Sequence, residues 1–300
     1  MATAAPESAR ETGTTISYRG PAVLLLYVLF WGWITLRWLN DWVFPPGWGV
    51  PPGTSFIDPS MVRPISSNLA FAVKYLPALA AGAWFTIVLT LVSIALGFVI
   101  AVPISVARVY GKYTAWVSLG FTELIRGTPL LAQLFVLYYG LQLSAWIREL
   151  PLVGVGFIPN QAFWVAIIGF TINSAAYQAE YIRSALLSVD RGQLVAARAI
   201  GLSQIEGIRF VVLPQALRYA IPGWSNELVY LIKYSSLAAF ITVPELFEVA
   251  ERIAAENFQY TAIFTLVALM YLAIIITASN IMDRVEESVS IPGLGQDVGR

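Results

Sequence analysis

The chain has 300 residues, of which 58% are apolar and only 12% are charged, and its mean hydropathy is +0.70. Soluble domains are about 45–50% apolar and about 25% charged, so the composition predicts that this chain lies largely in lipid. The formal net charge is zero, which gives no general attraction for nucleic acid. Histidine and cysteine are both absent. Disulfides are thereby excluded, and the residues that most often carry metal or nucleophilic chemistry are missing.

The first part of the chain divides into three stretches. Residues 1–20 are small and polar, and they predict a disordered cytoplasmic tail. The apolar run 21–42 is long enough to cross a bilayer. A signal peptide would end in small residues, but Trp31 and Trp33 stand in that place, so the run is predicted to be a retained anchor helix. Residues 43–77 are rich in proline and glycine and predict an extracytoplasmic loop.

Five further apolar segments follow the loop. Because backbone groups in lipid must satisfy one another within their own segment, each segment is predicted to be a helix. The expected fold is an all-α integral membrane protein with about six transmembrane helices, in which residues 78–283 form the core and residues 284–300 a cytoplasmic tail. The excess of Lys and Arg in alternate loops predicts that both termini are cytoplasmic. The five segments are 78–107, 121–143, 161–187, 218–242 and 260–282.

The loop 190–214 between two of these spans is predicted to form two short cytoplasmic helices. Gly201 provides a residue that can take the left-handed cap conformation and end the first helix. Ser203 and Glu206 have the spacing of a capping box that starts the second, and Pro214 is expected to limit it. Alanines keep the first helix slim, which suits docking into a groove of another protein. The alternative is a helix pair that rests on lipid headgroups.

Four motifs resemble those of a known family. The 190–214 loop resembles the EAA loop of permeases in ABC importers, and three other motifs resemble the histidine/glutamine type of polar amino acid permease. This resemblance implies a type I permease core of five helices preceded by the anchor helix. The motifs are Gly192-Gln193, Ala196-Ala197, Gly201 and Leu213-Pro214 in the loop, then Glu123-x-x-Arg126-Gly127-Thr128-Pro129-Leu-Leu-x-Gln133, Ala176-Tyr177-x-Ala179-Glu180-x-x-Arg183 and Lys233-Tyr234-Ser235-Ser236-Leu237.

The resemblance also implies a function. The chain is expected to be the membrane-spanning subunit of an ATP-driven importer of polar amino acids in the cytoplasmic (inner) membrane of a prokaryote. The implied partners are cytoplasmic ABC ATPase subunits, a second permease chain, and an extracytoplasmic substrate-binding protein. Val195 stands where the EAA loop has its defining glutamate, which favours a heterodimer in which the other half carries the stronger motif. The residues expected to couple to the ATPase are Gln193, Ala196, Ala197, Ala199, Gly201, Leu202 and Ser203.

The chain is not expected to be an enzyme or to bind a cofactor itself. Its one Gly-Lys pair, Gly111-Lys112, is followed by Tyr113 and has Val106 where a P-loop needs glycine. ATP and Mg are therefore expected on the partner ATPase subunit, and no metal site is predicted in this chain.

Ionisable and polar residues at membrane depth suggest a transport pathway. Asn173, Tyr177 and Glu180 recur at helical spacing and form one polar stripe, continued by Ser184. Glu180 is interpreted either as a substrate contact or as a structural partner of Arg183 or Arg126. The candidate pathway consists of Asn173, Tyr177, Glu180, Gln133 and Glu227.

The motif 126–129 is expected to interrupt its helix, because proline lacks the backbone donor and glycine adds freedom. A gate and a fixed bend are both compatible with Arg126, Gly127, Thr128 and Pro129. Two other classes of protein compete with the importer permease. A secondary transporter or channel often shows inverted repeats, which we do not find, and a membrane-embedded enzyme lacks a catalytic constellation here.

Overall fold

The computed structural model describes residues 21–45, 47–155 and 158–289. The predicted tail 1–20 and the last part of the tail 284–300 lie outside the described residues. The remainder is helical, and no strand is formed in the described ranges, which confirms the predicted all-α class. The helices are α1 (Pro21–Trp38), α2 (Pro59–Val62), α3 (Ser67–Tyr110), α4 (Thr114–Arg126), α5 (Leu130–Phe135), α6 (Leu143–Arg148), α7 (Gln161–Ser188), α8 (Arg191–Ala199), α9 (Gln204–Gly207), α10 (Leu213–Tyr234), α11 (Leu246–Asn257) and α12 (Tyr260–Val289).

Four short irregular turns extend or join these helices. A π-helical turn widens the helix by one residue, and such turns often mark functional positions. The π turns are Leu39–Val43, Val136–Gly140 and Ile208–Val212, and a 3-10 helix occupies Ser235–Ile241.

Helix α3 begins earlier than the sequence predicts. The predicted loop 43–77 ends at residue 66, because the Ser66 hydroxyl accepts a hydrogen bond from the Leu69 backbone N–H at 3.3 Å and caps the helix. The helix then continues through Pro77 and Pro103. Each proline removes one backbone hydrogen bond, but the packing of the long helix on its neighbours keeps it continuous.

The centre of the fold is a close contact between α3 and α7. A Cβ atom added at Gly97 would lie 2.8 Å from the Gln178 side-chain nitrogen and 3.2 Å from the backbone nitrogen of Ala175, so the glycine lets the two helices approach closely. Gln178 crosses the same contact, and its amide donates to the Ile94 carbonyl oxygen at 3.0 Å and to the Ser174 hydroxyl at 2.9 Å. Small residues and polar side chains thus hold the two helices together, as they do between helices in membranes.

A buried carboxylate joins α11 to two other helices. Glu245 is fully buried at the N-terminus of α11 and accepts hydrogen bonds from the backbone N–H groups of Phe247 and Glu248. The Tyr271 hydroxyl of α12 also donates to it at 2.8 Å. Thr86 of α3 accepts from the Leu246 N–H at 3.2 Å. This network fixes α11 against both α3 and α12.

Helix α1 packs along α3 and α12. The indole N–H of Trp31 donates to the Thr277 hydroxyl, and that of Trp38 donates to the Ala80 carbonyl oxygen, both at 2.8 Å. Ile34 is fully buried between these contacts. The predicted anchor helix is therefore an integral part of the bundle rather than an isolated element.

Two of the described helices, α3 and α12, are long and apolar enough to cross a membrane by length and composition. The predicted segment 121–143 is not one helix, because it is divided among α4, α5 and a π turn. Helices α7 and α10 carry the polar residues described below, which lower their hydropathy. The number of membrane spans therefore stays a prediction.

Candidate transport cavity and coupling segment

A cavity of ≈ 290 Å³ lies between α7 and α10. Two of the predicted pathway residues of α7 and the predicted Glu227 of α10 line it. The remaining lining is dominated by tyrosine. The lining residues are Asn173, Tyr177, Tyr181, Glu227, Tyr230, Leu231 and Tyr234.

Three tyrosines of this cavity were not among the predicted pathway residues. Tyr230 and Tyr234 lie three and seven residues after Glu227, so all three share one face of α10. This periodicity is visible in the sequence and is the signal that identifies them. Tyr181 lies four residues after Tyr177 on α7, so the same spacing places it on the face of Asn173 and Tyr177. Its ring packs closely on α10, because a Cβ at Gly223 would lie only 2.8 Å from it.

The cavity combines one carboxylate with several aromatic rings. Glu227 is almost completely buried, and the described residues provide it with no ion-pair partner. Tyrosine faces attract cations, and a buried carboxylate needs a positive or hydrogen-bonding partner. The lining is therefore suited chemically to an ammonium group.

The break at 126–129 is confirmed and is tied to the cavity wall. Helix α4 ends at Arg126, and α5 begins at Leu130 after Pro129. The Gln133 amide donates to the Ile125 carbonyl oxygen at 2.7 Å and to the Thr128 hydroxyl at 2.9 Å. Its own oxygen accepts from Asn173 at 3.1 Å. Gln133 thus links the break to α7. It is not among the lining residues of the cavity, and a gating role stays a prediction.

Glu180 is engaged by arginine rather than placed in the cavity lining. Arg183 Nε donates to one carboxylate oxygen at 2.8 Å, and Arg126 Nη1 lies 3.9 Å from the other. The Arg126 guanidinium also lies 5.4 Å from the centre of the Tyr177 ring. These are the ion pairs that the structural interpretation of Glu180 requires. Ser184, the last member of the predicted stripe, is exposed. Substrate contact by Glu180 stays a prediction.

The predicted caps of the 190–214 segment are present. Helix α8 ends just before Gly201, whose φ of +94° is the left-handed conformation that favours glycine. Ser203 and Glu206 form the predicted capping box, in which the Ser203 N–H donates to the glutamate at 2.8 Å and the Glu206 N–H donates to the serine at 3.3 Å. These hydrogen bonds lower the pKa of Glu206. The carboxylate therefore supports this cap at neutral pH.

The prediction that Pro214 limits the second short helix is wrong. Helix α9 passes through the π turn Ile208–Val212 directly into α10, and Pro214 lies in the first turn of α10. The Leu213 N–H bonds to the Ile208 carbonyl oxygen, one residue further back than in an α-helix. This wider turn accommodates the proline that would otherwise disrupt the helix.

The predicted coupling residues of α8 divide between two faces. Ala197 is buried, and its Cβ lies 3.3 Å from the position of a Cβ added at Gly207, so it packs α8 against α9. Gly192, Val195, Ala196 and Ala199 lie at helical spacing on the opposite side and are exposed. We call these four residues the small face of α8. Gln193, Gly201 and Ser203 are also exposed, whereas Leu202 is half-buried.

An all-helical bundle that includes helices long and apolar enough to cross a membrane, with a polar cavity between two of its helices, fits a transport permease. Residues 93–291 match the family described as binding-protein-dependent transport system inner membrane component. The chain belongs to this family. The resemblance that the sequence motifs indicate is thereby confirmed.

Bacterial permease proteins are similar to this chain over most of their own length. The chain is 39% identical over 221 residues to a probable amino-acid ABC transporter permease protein, YckA, of Bacillus subtilis, covering 72% of this chain and 92% of that protein. It is 36% identical over 217 residues to the glutamine transport system permease protein GlnP of Escherichia coli, covering 72% and 94%. More than a quarter of the chain thus lies outside the aligned region, and the family match begins at residue 93.

Solved structures have the same fold. A crystal structure of an amino acid ABC transporter with histidines is 29% identical, with a TM-score of 0.63, and covers 74% of this chain and 99% of that chain. The inward-facing MetNI methionine ABC transporter is 22% identical, with a TM-score of 0.59, and supports the fold alone.

Proposed function

We propose that the chain is the membrane-spanning permease subunit of an ATP-driven importer of polar amino acids. The cavity between α7 and α10 carries this proposal, since Glu227 and the tyrosines offer a binding environment for an α-ammonium group. The relatives support the class of substrate, because their names describe amino-acid, glutamine and L-cystine transport. The pathway residues proposed for this chain are Asn173, Tyr177 and Glu227 in the cavity, with Gln133 and Glu180 beside it.

The ATPase is a separate subunit in this proposal, and ATP and Mg bind there rather than on this chain. The small face of α8 seats in a cleft of that subunit, where its uncharged side chains permit close approach of two backbones. A second permease chain, identical or different, completes the membrane unit. A substrate-binding protein delivers the amino acid from outside. The family description, which names binding-protein-dependent transport, supports this assembly.

The proposed location is the cytoplasmic membrane of a prokaryote, with six spans and both termini in the cytoplasm. Single cysteines test this orientation on a clean background, because the sequence has no native cysteine. Cysteines at Ser55 and Glu251 are expected to react with an impermeant thiol reagent in intact cells, whereas one at Ser203 reacts only after permeabilisation. Labelling of Ser203 from outside would overturn the orientation that the Lys/Arg distribution supports.

Glu227→Gln tests the cavity directly. The amide keeps the size of the side chain but loses a charge-assisted hydrogen bond to ammonium, worth about 1.5–3 kcal/mol, which corresponds to a roughly ten- to a hundredfold lower transport efficiency. The measurement is uptake of labelled amino acid into vesicles that contain the complete importer.

The matched control is Glu251→Gln, which changes an exposed carboxylate on α11, away from the cavity. It is expected to transport normally. If Glu227→Gln retains full uptake at limiting substrate, the cavity is not the substrate site, whatever the role of the subunit.

A further inference from the structure

The segment that precedes α3 folds into a compact unit at the end of α1. We call residues 39–45 and 47–66 the proline-rich cap. Asn40 ties it together, because its side-chain amide donates to the Val50 carbonyl oxygen at 3.0 Å and its oxygen accepts from the Val50 N–H at 3.1 Å. Both the nitrogen and the oxygen of this side-chain amide are hydrogen-bonded, so the segment folds back over the end of α1 in a defined conformation.

The charges at this end of α1 are directed inward. Arg37 and Asp41 are the only charged residues between positions 21 and 57. Arg37 is 0% exposed, donates to Asp41 and to the Thr54 carbonyl oxygen, and lies 5.0 Å from the centre of the Phe56 ring. Next to water, an arginine extends its head into the solvent. Because each nitrogen of the buried guanidinium is engaged, this end of α1 exposes no unpaired charge and is compatible with non-aqueous surroundings.

The outside of the cap is apolar. Trp48, Met61 and Ile65 are 72%, 73% and 80% exposed, and Trp42, Val43, Phe44 and Ile57 are exposed beside them. This surface continues from the exposed leucines of α1, with no charge between them. Asp58 and Arg63 are the cap's only outward charges, which is too few to attract a charged protein or an anionic membrane.

We propose that the proline-rich cap is a lipid-binding element that lies in the interfacial layer of the outer leaflet, with Trp48, Met61 and Ile65 immersed. Tryptophan favours this layer, where one side of the ring is apolar and the other is wet. The proposal rests on the proposed membrane insertion of α1. It assigns a role to a part of the chain that precedes the family match, which begins at residue 93.

An environment-sensitive fluorophore on single cysteines at Trp48, Met61 and Ile65 tests the proposal in the complete importer, reconstituted in phosphatidylcholine vesicles. We expect blue-shifted emission, strong quenching by lipid that carries a spin label at the headgroup, and weak quenching by aqueous iodide. Because the cap has no basic cluster, adding phosphatidylglycerol is expected to change none of these values. Ser60, an exposed polar neighbour of Met61, is the matched control and is expected to be quenched by iodide.

A fluorophore at Leu29, near the middle of α1, separates this proposal from the membrane insertion on which it rests. If Leu29 is quenched by spin labels deep in the bilayer but the cap positions emit as in water, the cap proposal is overturned while the span stands. If the fluorophore at Leu29 itself emits as in water, the proposed membrane insertion of α1 is contradicted. Shielding of the cap positions only after the substrate-binding protein is added would identify a protein as the partner and would also overturn the lipid assignment.

Discussion

Ala196→Trp is expected to abolish the stimulation of ATPase activity by substrate and its binding protein in the reconstituted importer. Ala196 belongs to the exposed small face of α8, where an indole would keep the partner subunit at a distance. Loss of docking removes coupling altogether, rather than weakening one contact. The permease itself should fold and insert normally, because the side chain points away from its own bundle.

Two further variants sharpen this experiment. Lys112→Trp adds the same bulk at an exposed position outside the 190–214 segment and is expected to leave stimulation intact. Ala197→Trp, at the buried position against Gly207, is expected to lower thermal stability as well, because it separates α8 from α9. Normal stimulation in a stable Ala196→Trp complex would contradict the docking role.

Glu180→Gln is expected to lower the stability of the permease in detergent. The substitution leaves Arg126 and Arg183 without their shared carboxylate. Breaking a buried ion pair typically costs about 3–5 kcal/mol and a surface pair about 0–1 kcal/mol, so these partly exposed side chains are expected to lie between, at about 1–3 kcal/mol. The measurement is thermal unfolding of the purified complex, together with amino acid uptake.

The double variant Glu180→Gln with Arg183→Gln separates the two interpretations of Glu180. Removing one arginine together with the carboxylate lessens the uncompensated charge, so stability should recover in part. If transport recovers with it, Glu180 acts only through its arginines and the substrate-contact interpretation is refuted. If stability recovers while transport stays lost, the substrate-contact interpretation of Glu180 stands.

Local hydrogen-bonding chemistry was the most predictable part of the structure. The capping box of Ser203 and Glu206 depends on four consecutive residues, and the cap at Gly201 depends on one backbone conformation. Both follow from the sequence because their partners are neighbours in the chain. The break between Arg126 and Leu130 was predictable for the same reason.

The predicted helix boundaries at prolines were wrong where tertiary packing keeps the helix continuous or a π turn accommodates the proline. Pro77 lies within α3, and Pro214 lies in the first turn of α10 after a π turn. A π turn has no strong sequence signature, so the continuity of α9 with α10 was not predictable.

The cavity was predicted only in part. Asn173, Tyr177 and Glu227 were found as polar residues in apolar segments. Tyrosine is common at membrane interfaces, so Tyr230 and Tyr234 did not stand out by type, although their spacing after Glu227 places them on its face. Tyr181 lies four residues after Tyr177, so its spacing likewise places it on the cavity face of α7. The close approach of Gly223 to its ring comes from another helix and is not encoded locally.

The continuity of α9, the π turn and α10 has a mechanical consequence. At about 1.5 Å per residue, the rod from Gln204 to Tyr230 is about 39 Å long. One end lies against α8, and the other carries the cavity's tyrosines. If the ATPase tilts the end near α8, the tilt would therefore be carried along one continuous helix to the cavity, and the π turn is the place where this helix can bend. The continuity of these elements favours transmission along one helix backbone over a relay of side-chain rearrangements.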